Sequence, residues 1–291
     1  MIVDHQENIK VHFAGVEHIV HLRACQAVGV NYTLYTAFPF CETKVFGKTS
    51  HPAISCDLNY ADVPRAVEEK ARHAIQDSGL FTLMFGKKGL NLSEKIIERW
   101  YHALVEHTLE SGFQGAVVEV DCQKLFGPEL AWKLRRRFRK DLPNRQINVF
   151  HIEDGQRGLD EMIEFSDYIA ISVPELRAIG KKNHCERLTN YIKAKKPSID
   201  IHLLGCTELK LLKSLSFATS SDSTSYLSGN KYGYIKGRHI NGINQARVME
   251  LVSPENLKSI TDFCSEKYAT TLILNIYQLL KSYEKAAGSQ D

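Results

Sequence analysis

Short runs of β-branched and aromatic residues alternate along the chain with longer segments whose apolar positions recur every three or four residues. This is the pattern of a parallel sheet with crossover helices. The runs predict eight strands: VHFAGV (11–16), NYTLYTAF (31–38), AIQDSGLFT (74–82), GAVVEVD (115–121), INVFHI (147–152), DYIAISV (167–173), DIHLLG (200–205) and FATSSDS (217–223). Helices are predicted over 17–28, part of 60–76, 93–111, 128–140, 157–165, 174–194 and 206–214. Two more follow Ser253-Pro254, where a Ser cap precedes a Pro at the first helical position. Eight β/α units predict a TIM (β/α)8 barrel in a single domain over 1–291, with the barrel at about 10–225, a loop at 224–252 and C-terminal helices at 253–287. A doubly wound open sheet shares this alternation and stays open as the alternative. Segment 39–70 is long for one connection and reads as an ordered insertion or an active-site loop.

Composition narrows the class. Against 37 Lys and Arg stand 34 Asp and Glu, a net charge of +3 that neither demands nor excludes a polyanionic partner. The seven cysteines (25, 41, 56, 122, 185, 206 and 264) form no CxxC or CxC pair, which favours a reducing compartment over a disulfide framework or a Cys-rich zinc site. No signal segment opens the chain, and ATTLILNIYQLL near its end is too short and too polar to span a bilayer, so no membrane partner and a cytoplasmic location are expected. No Walker loop or GxGxxG follows a strand, so no cofactor is expected. His18 and His21 lack an evident third ligand; a surface or capping role is expected for them, and no metal.

The acids carry the chemistry. In a barrel the functional groups collect at the C-terminal ends of the strands, and Asp77, Asp121, Glu153 with Asp154, and Asp222 each stand at or just past such an end. A strand-ending acid also serves as an N-cap for the next helix, but four strands delivering carboxylates to one rim suggest catalysis. Ser78-Gly79 after Asp77 would let the backbone approach a ligand closely, and the hydroxyls around Asp222 would keep it ionised. Two such carboxylates suit displacement at an anomeric carbon, one as nucleophile and one as general acid/base.

Three motifs in chain order carry a resemblance. DSGLFT (77–82) is similar to the DSGG-aromatic-Gln motif of the tRNA-guanine transglycosylase superfamily, FHIEDG (150–155) to its Phe-Gly-Ile-Gln-Gln-Gly strand end, and HLLGCTELKLLKSLSFATSSDS (202–223) to the run leading to its nucleophilic Asp. The resemblance covers roughly 70–225. It implies a TIM-barrel enzyme that exchanges guanine in a polynucleotide for a free 7-deazaguanine base such as preQ0, with Asp222 attacking C1′, Asp77 shuttling the proton and Asp121 reading the guanine edge. By the same carry-over Ser78, Gly79, Glu153, Asp154, Ser172 and Gly205 would line the substrate pocket. The chain has no cysteine between Cys206 and Cys264, so the zinc subdomain of the tRNA enzymes is absent. It resembles most the DpdA-type DNA-guanine transglycosylases of phages and bacteria, which implies DNA as partner, the host cytoplasm if the chain is phage-encoded, and allows a homodimer. Glu153-Asp154 stand where the family has a base-reading Gln pair, and ISVPE (171–175) where it has Gly-Gly-Leu. A tRNA or nucleoside enzyme of the same chemistry is the alternative; a non-catalytic nucleic-acid-binding barrel is the alternative of another class.

Two basic stretches are candidates for phosphate contacts. In KLRRRFRK (133–140), with Leu130, Leu134 and Phe138 forming the apolar stripe, the basic residues are expected to face out. Lys231, Tyr232, Tyr234, Lys236, Arg238 and His239 follow the nucleophile strand and interleave cations with aromatics, which would suit an extruded nucleotide.

Overall fold

A computed structural model of the chain describes residues 9–47, 62–86, 91–181, 183–232, 234–235, 238–239, 248 and 250–287. Eight parallel strands close into a barrel in sequence order: β1 (Lys10–Ala14), β2 (Tyr32–Thr36), β3 (His73–Asp77), β4 (Ala116–Val118), β5 (Gln146–Phe150), β6 (Tyr168–Ser172), β7 (Asp200–Leu204) and β8 (Ser220–Ser223). Closure is direct, because β1 pairs with β8 through Lys10 to Ser220 and His12 to Asp222. The chain is a TIM barrel, and the open-sheet alternative is excluded by that pairing.

Alternation of side chains along each strand separates two cores. Ala14, Leu34, Ile75, Ala116, Val118, Ile147, Val149, Tyr168 and Ala170 fill the barrel interior. The opposite faces, among them Phe13, Tyr35, Val117, Phe150, Ile169, Ile171, Ile201 and Leu203, pack against the surrounding helices. At roughly 25 cal/mol per Å² of apolar surface, this second layer supplies most of the driving force for folding.

The predicted stripe Leu130, Leu134 and Phe138 is buried in the helix Gln123–Asp141. The basic run on that helix does not face out uniformly, as the sequence suggested. Arg135 is 1% exposed and makes two 2.6 Å hydrogen bonds to Glu119, which is 2% exposed just past β4. Asn148 Nδ2 and the Val149 N–H also donate to Glu119, each at 2.8 Å, so the buried carboxylate is well satisfied. Lys133 and Arg137 pair with Glu98 instead of offering themselves to phosphate.

The predicted helix 174–194 is two helices, Val173–Ala178 and His184–Lys195. Part of segment 39–70 is ordered as the helices Phe38–Phe46 and Val63–Glu68. Ser253 caps the helix Pro254–Thr261, its Oγ accepting from the Asn256 N–H at 3.2 Å. The helix Glu266–Ala287 then packs beside Ile19–Val28, where His21 is buried, its Nδ1 donating to Gly15 O at 3.0 Å and its Nε2 3.2 Å from Tyr268 Oη. His21 is therefore a core residue and not a surface one.

Candidate active site

Strand alternation places Asp77 and Asp222 facing inward at the C-terminal rim, since Ile75 below Asp77 lies in the barrel core and Asp222 is registered with the inward-facing His12. Each is held by a neighbouring backbone amide. The Gly79 N–H donates to Asp77 Oδ1 at 2.7 Å, closing a turn that needs the positive φ of +70° at Gly79. The Gly205 N–H donates to Asp222 Oδ1 at 2.7 Å, and His202 Nε2 lies 3.3 Å from the same oxygen.

Burial pushes the Asp77 carboxyl up to about 6; the Gly79 amide opposes this, and the charges of Asp222 and Asp121 add to it. All three carboxylates stand at or just past the C-terminal ends of their strands, β3, β4 and β8. A fourth acid was missed by sequence reasoning. Glu17, three residues past β1, accepts from the Thr36 N–H at 3.2 Å, and burial, with a smaller push from Asp77, raises its carboxyl to about 7.

Asp121 and Glu153 join a second group around His151, which directly follows β5 and is 2% exposed. His151 Nε2 lies 2.8 Å from Asp121 Oδ1, and its Nδ1 lies 3.7 Å from Glu175 Oε2. Burial disfavours the imidazolium, but the carboxylates of Asp121 and Glu175 together outweigh it and raise this histidine to about 10. Lys124 bridges Glu153 and Glu175, at 2.7 Å from the latter. Asp154 instead accepts from Gln123 Nε2 at 2.7 Å.

The remaining pocket candidates have structural duties. The close approach at Gly79 is to Phe38, since a Cβ there would sit 2.6 Å from the Phe38 backbone. The Ser78 carbonyl accepts from Trp100 Nε1 at 2.9 Å. Ser172 caps the helix that follows β6, its Oγ accepting from the Glu175 N–H. Of the aromatic and basic loop, Tyr234–Ile235 and Arg238–His239 form a short antiparallel pair and Lys231 and Tyr232 end a helix, while Lys236 and the side chains of all six candidates lie outside the described residues.

Beneath the rim the barrel interior is unusually polar. His12 is fully buried, its Nδ1 near Ser221 O and Lys10 O at 3.1 Å and its Nε2 2.8 Å from His73 Nδ1. Burial first, then the neighbouring His73 and His202, push His12 well below its usual range, so it is a neutral hydrogen-bonding ring. His202 continues this column upward, with Nδ1 2.5 Å from Ser220 Oγ, which meets Tyr168 Oη at 2.5 Å. His151, Glu175 and His202 escaped sequence reasoning because each is a single residue within an apolar strand or an ordinary helix start.

No family model matches the chain, and no curated protein matches it. Among solved structures it is similar to the tryptophan synthase alpha chain from Legionella pneumophila subsp. pneumophila, at 13% identity and a TM-score of 0.47 over 98% of this chain and 94% of that one. Among the described residues no helix is long and apolar enough to cross a membrane.

Proposed function

We propose that this chain is a base-exchange transglycosylase that replaces guanine in DNA with a 7-deazaguanine base through a covalent glycosyl-Asp222 intermediate. One observation carries the reading. Two carboxylates from distant parts of the sequence stand on one rim, and burial holds one of them, Asp77, protonated to about pH 6 while Asp222 is fixed by Gly205 and His202.

The roles follow from those environments. Asp222 attacks C1′ as the C1′–N9 bond of guanine breaks, and Asp77 gives its proton to the departing base. The incoming base then returns a proton to Asp77, its N9 attacks C1′, and the bond to Asp222 breaks, which restores both acids. In this reading Asp121, which is paired with His151, reads the guanine edge. Absence of cysteines between Cys206 and Cys264 favours the DNA-acting branch of the resemblance over the tRNA enzymes.

The test is release of radiolabelled guanine from DNA, and separately from tRNA, on adding preQ0, with Asp222→Ala as control. Release from DNA that is lost in Asp222→Ala supports the reading. Release from tRNA alone moves the substrate to tRNA, and release from neither removes the function.

A further inference from the structure

The group around His151 contains more than base recognition requires. His151 Nδ1 is buried and makes no hydrogen bond; its nearest acid oxygen, on Glu175, is 3.7 Å away, beyond hydrogen-bond length. The proton on this nitrogen has only the longer-range Glu175 charge to hold it, and a metal ion binding there takes its place. The other ring nitrogen meets Asp121 at 2.8 Å. A carboxylate on one imidazole nitrogen is the arrangement that orients a metal-binding histidine and makes its opposite nitrogen a better ligand.

That opposite nitrogen is aimed into a cluster. His151, Glu153 and Glu175 each present one donor atom, all within 4.8 Å of one another. Ligands at about 2.0–2.2 Å from one ion lie roughly 3–3.5 Å apart, so the flexible Glu arms need to close by only about 1 Å. A cation already bridges the two glutamates, the Lys124 ammonium, and its side chain is 32% exposed at the mouth of the cluster. The donors come from three places on the rim: the end of β5, the turn Ile152–Asp154 and the helix after β6.

We infer that His151 Nδ1, Glu153 and Glu175 form a site for a divalent first-row transition ion, Zn²⁺ more tightly than Mn²⁺, in which the metal displaces the Lys124 ammonium. Three protein ligands, one imidazole and two carboxylates, match the ligand number of zinc sites that keep an open position. Binding leaves Lys124 without its two carboxylate partners and turns it to solvent. The site stands independently of the transglycosylase reading: guanine release tests one, and metal affinity the other.

The experiment is calorimetric titration of the metal-stripped full chain with ZnCl₂ and, separately, MnCl₂, on wild type, His151→Ala, Glu175→Gln and Lys124→Ala, with circular dichroism confirming the fold of each. The expected result is one Zn²⁺ per chain, at least tenfold weaker binding in His151→Ala and Glu175→Gln, and several-fold tighter binding in Lys124→Ala as the competing ammonium is removed. Absence of stoichiometric binding overturns the site. So does binding unchanged by these substitutions, which would put the ion elsewhere, for example at the paired rings of His18 and His21. If His151→Ala fails to fold, the two partly exposed positions decide: unchanged affinity in Glu175→Gln and Lys124→Ala overturns the inference.

Discussion

The Gly205 N–H holds Asp222 Oδ1 at 2.7 Å, tying the turn after β7 to the end of β8. Gly205 has a φ of +60°, and a Cβ on it would lie 2.8 Å from Pro174 Cγ. Gly205→Ala is therefore expected to strain the turn by about 1–2 kcal/mol and to move the amide that holds Asp222. Thermal melting should show the loss, and guanine release should fall with little change in the concentration of DNA needed for half-maximal rate.

In the proposed exchange, Asp77 sets a pH dependence for the first half-reaction. That reading requires its carboxyl to be protonated for guanine release, and it loses that proton above about pH 6. Single-turnover guanine release should then decline as pH rises beyond that point. Asp77→Asn should slow release by about 10²–10⁴-fold and remove the decline; a profile unchanged in the variant would assign the proton to another group.

Glu17 makes a stability prediction with a definite sign. The folded chain keeps this proton up to about pH 7 and the unfolded chain gives it up near 4.5, so unfolding releases a proton between those values and stability falls as pH climbs through them. Glu17→Gln removes that loss. It should raise the melting temperature at pH 8, on the order of 1–3 kcal/mol of stability for a partly exposed group, and leave it nearly unchanged at pH 4.

His73 acts in the opposite direction. Burial, with Lys10 and Arg145 adding to it, pushes its ring down to about 4, so the unfolded state binds the extra proton between pH 6.5 and 4 and stability drains away as pH falls across that window. His73→Gln should flatten the acid side of the stability curve measured by urea denaturation at a series of pH values.

The Glu119–Arg135 pair is expected to be the most costly ion pair to break. Glu119→Ala leaves the guanidinium buried without its anion and should cost about 3–5 kcal/mol, read as a lowered urea midpoint. Replacing both residues with apolar ones should recover much of that loss.

The eight strands were legible because period-two alternation and β-branched runs report local geometry directly. Their ends were less so: FATSSDS reads as seven residues of strand, but only Ser220–Ser223 pair. Asp77 and Asp222 were visible because strand ends are where a barrel presents chemistry. Glu17 was hidden by position, since the turn at Gly15 and Val16 carries it past β1 and it reads as the start of a helix. Arg135 was misread because a helix stripe reveals which side is apolar but not that Glu119 waits beneath a neighbouring position. His151 was passed over between two apolar residues and two acids, where nothing local marks its contact with Asp121, thirty residues earlier.

Phe38 and Trp100 reach the turn after β3 from two different helices, one wedged against Gly79 and the other bonded to the Ser78 carbonyl. The Asp77 turn is consequently not a portable module. Transplanted alone into another barrel it would lose the outside walls that give it shape, so any chimera meant to carry this acid must inherit the helix Phe38–Phe46 and the start of Glu94–Ser111 with it.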